Sequence, residues 1–251
     1  MSLACAASDS NSGLASPADA AFLLATHVAA GVETGNAVTD SRQVCDKAGN
    51  CTTAGPLGGN KVDKKAPTVI VTAPAGNYIV GQAVAASYSC TDGGSGIASC
   101  GGPVASGADV DTRTIGANSF LVTSLDNVGN RSSAGASYSV AYNICPLYAV
   151  VAKQSGSAYP IKIRLCDASG NNMSTPSVAV NAVSVTRLSS NTPVTLDDVG
   201  DANPDFDFRY DATLAGYILN LSTKGYSTGT YRLDFTAGND PVVHSALFAV
   251  K

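Results

Sequence analysis

Tryptophan is absent, and there are only two methionines and two histidines. Aromatic residues are 6 % of the chain and charged residues 14 %, with a net charge of −4. Each shortage excludes something. Two histidines and no Cys-x-x-Cys pair exclude the usual zinc ligand sets. Sparse, slightly acidic charge leaves no basic stripe for nucleic acid. The lack of tryptophan and the few aromatics argue against a lectin's sugar platform. No apolar run approaches the ~20 residues of a membrane span. Met1-Ser2-Leu3 has no basic stretch and leads into no apolar core, so no signal peptide is expected here. Those three residues read as an addition ahead of a piece of a longer chain.

What is abundant is Val, Thr, Ser, Ala and Gly. Short Val/Thr/Tyr runs cut by Gly, Asn, Asp and Pro predict an all-β protein. Within it a segment occurs twice. Ser8-Asp9-Ser10-Asn11-Ser12-Gly13-Leu14-Ala15-Ser16 returns as Thr91-Asp92-Gly93-Gly94-Ser95-Gly96-Ile97-Ala98-Ser99. Asp46-Lys47-Ala48-Gly49-Asn50 returns as Asp126-Asn127-Val128-Gly129-Asn130, so the offsets are 83 and 80 residues. Two motifs in one order at nearly one period mark a tandem module of domain size.

The second module, residues 66–144, holds about seven short strands, as an immunoglobulin-like sandwich does. It opens with residues 68–72 and closes with 138–142. The first module, residues 1–65, has no counterpart of 68–72, so it lacks its opening strand. From Cys145 the repeat is expected to stop. Residues 161–165, 178–185, 217–221, 231–235 and 246–250 then predict a third β-sandwich over 145–251.

Seven cysteines stand at 5, 45, 51, 90, 100, 145 and 166. Cys45/Cys51 and Cys90/Cys100 flank turns, which bring flanking strands within disulfide reach. Cys145/Cys166 is the third pair, and Cys5 is left over. The pattern points to an oxidising compartment.

Residues 4–144 resemble the bacterial Ig-like repeats of large secreted or surface proteins, through the Asp-x-x-Gly-Asn turn before the last strand. Residues 145–251 resemble the bacterial PxKF-type domain. The match runs through Ser155-Gly156-Ser157-Ala158-Tyr159-Pro160-Ile161-Lys162-Ile163-Arg164-Leu165-Cys166-Asp167. It continues in Asn203-Pro204, Phe208-Arg209-Tyr210-Asp211, Gly216-Tyr217, Ser222-Thr223-Lys224-Gly225, Gly229-Thr230-Tyr231 and residues 244–251. Ile163 stands where the name-giving Phe would be. The resemblance implies a bacterial source and a secreted or cell-surface location, and no chemistry.

Candidate sites are few. Asp201, Asn203, Asp205 and Asp207 alternate as in the first half of a calcium loop, but Phe206 stands where such a loop needs Gly. An ordinary solvated turn is the competing reading. Asp46 and Asp126 are expected to cap their own turns, with Gly49 or Gly129 at positive φ; Asp9 and Asp92 are read the same way. His27, in a strand expected over residues 22–30, and His244 have no nucleophile–base motif beside them. Asn50, Asn130, Asn172 and Asn220 begin Asn-x-Ser/Thr triplets, which mean little in a bacterial chain. The expectation is a non-catalytic extracellular spacer with an adhesive role, partnered by other domains of one longer chain and by a surface glycan or protein. Two alternatives stand beside it: a glycan- or protein-binding module that uses calcium, and accessory domains of a surface hydrolase.

Overall fold

A computed structural model describes residues 1–200 and 206–251. Strands are β1 Ser2–Cys5, β2 Phe22–Ala25, β3 Glu33–Ala37, β4 Arg42–Cys45, β5 Cys51–Ala54, β6 Asn60–Asp63 and β7 Thr68–Ala73. Then come β8 Gly76–Ile79, β9 Ser87–Thr91, β10 Ile97–Gly101, β11 Gly116–Asp126, β12 Arg131–Ala141 and β13 Asn143–Pro146. The remainder are β14 Ala158–Cys166, β15 Val180–Arg187, β16 Thr192–Val194, β17 Arg209–Asp211, β18 Gly216–Ser222, β19 Gly229–Ala237 and β20 His244–Val250. A three-residue 3-10 turn spans Pro17–Asp19. The chain is all-β.

Its residues form two compact units. One comprises Met1–Val71, Tyr88–Pro103 and Leu121–Ala134; the other comprises Thr72–Ser87, Val104–Phe120 and Gly135–Lys251. Strands β7, β9, β11 and β12 contribute residues to both.

In the first unit β1 pairs antiparallel with β2, β3 with β6 and β4 with β5. Phe22, Leu24 and Val44 are its buried cluster, with Cys5, Ala7, Leu14 and Ala54 packed against them. Strand β10 pairs antiparallel with β11 through residues 123–126. The strand expected over residues 22–30 is shorter: β2 ends at Ala25, and a bridge of Thr26 to Thr39 is the last pairing. Asp40 stops it, its carboxylate accepting the Ala25 N–H at 2.8 Å, and the chain turns at Gly31, where φ is +78°. His27 therefore lies beyond the strand.

In the second unit β8 runs parallel to β12, from Tyr138 opposite Gly76 to Ala141 opposite Ile79. The opening strand of residues 66–144 is thus split. Its first half, β7, hydrogen-bonds β9, and its second half, β8, lies beside the closing strand. That is an immunoglobulin-like plan. Two four-stranded sheets complete this unit, in the orders β13-β14-β18-β17 and β16-β15-β19-β20. Period-2 alternation sends Ile161, Ile163 and Leu165 of β14 and Tyr231, Leu233 and Phe235 of β19 into the space between the sheets. All six are fully buried there.

Disulfides join Cys45 to Cys51, Cys90 to Cys100 and Cys145 to Cys166, and Cys5 is free. Cys45 and Cys51 are direct partners across β4 and β5.

Candidate functional site: a carboxylate-lined joint

The repeated motifs are turns organised by aspartate. The Asp126 carboxylate accepts the N–H of Val128 at 3.0 Å and of Asn130 at 2.8 Å, and the Asn130 side-chain amide at 2.6 Å. Asp46 does the same with Asn50, at 2.8 Å from both backbone and side chain. Gly49 and Gly129 have φ of +91° and +98°, so a side chain would be strained there. The Ser-Gly loops sit on these turns. Asp9 accepts the N–H groups of Asn11, Ser12 and Gly13, and Asp92 accepts that of Gly96 at 2.7 Å. The carbonyl of Gly13 then receives Lys47 N–H at 2.9 Å, and that of Gly96 receives Asn127 N–H at 3.1 Å. One local device is built twice.

The turn by itself, without a Ser-Gly loop seated on it, occurs once more; there the Ala168 N–H goes to the Val80 carbonyl at 2.9 Å. Asp167-Ala168-Ser169-Gly170-Asn171 is another Asp-x-x-Gly-Asn turn. Asp167 accepts Asn171 N–H at 2.8 Å and its side-chain amide at 2.9 Å. As at Cys45-Asp46, a disulfide cysteine immediately precedes the aspartate.

These hydrogen bonds hold the carboxyls of Asp9, Asp46, Asp126 and Asp167 below their ordinary range. For Asp46 and Asp167 the side-chain amide of the Asn is the main cause, and for Asp9 the Gly13 N–H. For Asp126, burial is the largest influence and works the other way, but the combined hydrogen bonds outweigh it.

The second copy of the Ser-Gly loop has an additional role. Glu33 and Asp63 face each other in register across β3 and β6. Like charges directly opposite repel, and three contacts offset this. Lys65 Nζ lies 3.2 Å from Glu33 Oε1, Lys65 N–H donates to Asp63 Oδ1 at 3.0 Å, and Ser95 N–H donates to Asp63 Oδ2 at 2.7 Å. The Lys65 N–H, followed by Ser95, pulls the Asp63 carboxyl below its ordinary range; the Asp126 charge opposes this. The Asn130 side-chain amide reaches the Asp63 carbonyl at 3.4 Å.

Gly93 and Gly94 are pressed onto the same two carboxylates. A Cβ at Gly93 would stand 2.8 Å from Glu33 Oε1, and one at Gly94 would stand 2.5 Å from Asp63 Oδ2. A Cβ at either position would push the facing carboxylate out of its place, so the two glycines suit this close approach. Glu33, Asp63 and Asp92 each bring a carboxylate oxygen within 4.8 Å of the others. Most of these oxygens already have protein donors, whereas Glu33 Oε2 is buried without a partner.

Of the alternating acidic set, Asp201, Asn203 and Asp205 lie outside the described residues. Asp207 forms a bridge with Asn181. His27 is exposed, 3.6 Å from Asp40. His244 is buried, with Nε2 2.8 Å from Asp240 Oδ2. The same oxygen accepts Tyr142 N–H at 2.7 Å, and Asp240 Oδ1 accepts Val242 N–H at 2.8 Å. Neither histidine hydrogen-bonds a Ser, Thr or Cys among the described residues.

Sequence reasoning missed Glu33 and Asp63. A signal was present: the second loop reads Asp92-Gly93-Gly94 where the first reads Asp9-Ser10-Asn11. An extra glycine pair in one copy of a repeat marks a close approach peculiar to that copy.

No family model matches the chain, and no curated protein matches it. Solved structures do. An adhesin of Yersinia pseudotuberculosis, InvE, is 16 % identical with a TM-score of 0.33, covering 74 % of this chain and 58 % of that one. The fibronectin(III)-like modules of Clostridium thermocellum CbhA are 10 % identical with a TM-score of 0.25, covering 73 % of this chain and 93 % of theirs. Domains 4–9 of the surface layer protein SbsC are 14 % identical with a TM-score of 0.25, covering 88 % and 29 %. This chain thus spans under two thirds of the adhesin structure. These are neighbours in fold, and they assign no activity.

Proposed function

We propose that the chain is a non-catalytic, extracellular spacer of a bacterial surface or secreted protein, with an adhesive role. Residues 1–65 and 66–144 serve as consecutive Ig-like modules, and 145–251 as a PxKF-type sandwich. The observation that carries this reading is the joint. Asp63, in the last strand of the first module, is received by the Gly93-Gly94-Ser95 turn of the second through the Ser95 N–H at 2.7 Å. Consecutive modules joined by hydrogen bonds and close backbone contact transmit orientation, which a Gly/Ser linker does not. Three local disulfides suit small domains outside the cell.

The test uses two spin labels in the first unit, at the exposed positions Leu23 and Leu121. A single narrow distance distribution is expected, broadened by Gly94→Val. A broad distribution in the unaltered chain would show that the joint does not fix the modules and would remove the basis of the spacer reading.

A further inference from the structure

The buried pair of Asp240 and His244 borders a cavity of about 390 Å³. The cavity lies within the second unit, where residues 77–79, 141–144 and 242–245 meet. Asp240 organises the meeting point. Its Oδ1 accepts the Val242 N–H at 2.8 Å, just before β20 begins. Its Oδ2 accepts the Tyr142 N–H at 2.7 Å and lies 2.8 Å from His244 Nε2. A carboxylate only accepts, so Nε2 carries the hydrogen, and Nδ1 of the neutral ring is left as an acceptor. The His244 side chain is 8 % exposed, yet Nδ1 has no protein partner among the described residues. A polar atom on so buried a side chain calls for a partner from elsewhere.

The rest of the lining combines rings with uncharged polar groups. Tyr78 and Tyr142 are half-buried in it. Tyr78 is held in place: its hydroxyl accepts the Ala75 N–H at 2.9 Å, and its ring packs edge-on against Tyr138 at 6.0 Å. Asn143 and Ser245 are exposed, and their side chains bond nothing among the described residues. The Asn77 side-chain oxygen takes the Ser139 hydroxyl, which leaves its NH₂ group free to donate. No Lys, Arg, Asp or Glu is among the lining residues.

We infer that this cavity binds an uncharged sugar of a surface glycan. An anion would need a cationic partner, which the lining lacks. A metal would find one imidazole nitrogen, short of a ligand set. A purely apolar ligand would leave Nδ1 and the two amides unpaired. A neutral pyranose meets all the requirements. Its C–H face packs on a tyrosine ring, and its hydroxyls donate to Nδ1 and accept from Asn77 and Asn143. The volume is within the range of small-ligand cavities, roughly 300–1,000 Å³. Aromatics are too few along the whole chain for a broad sugar platform, but Tyr78 and Tyr142 gather here. The inference rests on the adhesive part of the proposed function and does not involve the Asp63 joint.

The experiment titrates the isotope-labelled 251-residue chain with cellobiose, lactose and N,N′-diacetylchitobiose in turn. Saturable shifts are expected from at least one of them, in the amides of residues 77–79, 141–144 and 242–245, with residues 1–63 unmoved. Ser245→Trp fills the cavity from an exposed position and should abolish binding. Asn143→Ala, which removes a side chain without a protein partner, should weaken it about tenfold. No shift with any of the sugars, or binding retained by Ser245→Trp, would overturn the proposal. So would tighter binding of sialyllactose than of lactose, because the lining has no cation to reward the carboxylate. A narrow spin-label distance together with no sugar binding would remove this site and leave the spacer reading in place.

Discussion

Phe248 stacks on Tyr231 at 5.4 Å between ring centres and lies 5.2 Å from Tyr159; Tyr226 stacks on Tyr231 at 4.9 Å. Phe22, in the N-terminal module, has no aromatic neighbour of this kind among the described residues. The Arg42 guanidinium lies 5.0 Å over its ring and is held there by Asp19, 2.7 Å away. The two regions solve one problem differently. The C-terminal sandwich buries rings and branched chains between two four-stranded sheets, each worth roughly 1.5–3 kcal/mol of transfer energy. The N-terminal module has five buried apolar residues, Phe22, Leu24, Ala37, Val44 and Val62, and depends on turn hydrogen bonds, a disulfide and charge pairing. The repeat allows hydrogen-bonded turns to be copied from module to module while cores differ. Stability should therefore differ in both size and origin between the two.

The largest effect should come from emptying the C-terminal core. Phe248→Ala removes a fully buried ring and should cost that sandwich about 3–5 kcal/mol. In urea titrations followed by amide exchange, the loss should appear in residues 145–251 and leave residues 1–63 unchanged. A loss shared by both regions would mean that they unfold as one.

Replacing Cys45 and Cys51 together by Ala should cost the N-terminal module about 2 kcal/mol, the low end expected for so short a loop. Native-state exchange should already be faster in residues 1–63 than in 145–251, and this variant should widen the gap. Equal protection in both regions would erase the contrast.

Acid should next attack the carboxylate-built turns. Asp9, Asp46, Asp63 and Asp126 have folded values below the ordinary 3.8. The stability they contribute is present above that value and is lost as pH falls through their folded values. Melting curves between pH 5 and 2 should show the turns at Asp46 and Asp126 loosening. Asp46→Asn should flatten that dependence. An unchanged acid profile would remove these carboxylates from the account.

The smallest effect lies at high pH. Burial pushes Tyr148 and Tyr226 up to about 12. The fold favours their neutral form, so that contribution holds below the usual 10 and fades as pH rises toward 12. Ultraviolet titration should find these two phenols ionising after the others, and Tyr226→Phe should delete one late step.

Much of this was legible because it is local. The Asp46 and Asp126 turns, their glycines and the strands at 161–165, 217–221 and 231–235 follow from short-range pattern. Each bond of such a turn joins residues at most four apart. The third turn, at Asp167, was equally legible, since its bonds too join residues four apart. The strand over residues 22–30 came out too long because what ends it, Asp40, is fifteen residues away.

Composition, period and spacing by themselves determined an all-β chain with a twice-occurring motif set and neighbouring disulfides. Alternation and turn chemistry need only a few adjacent residues to act. Tertiary structure alone decided that Glu33 and Asp63 stand opposite each other, that Gly93 and Gly94 press against their carboxylates, and that Asp240 holds both His244 and the Tyr142 N–H. Those contacts depend on strand register and on which loop meets which edge. Both are set by packing among residues tens of positions apart, where no local pattern reaches.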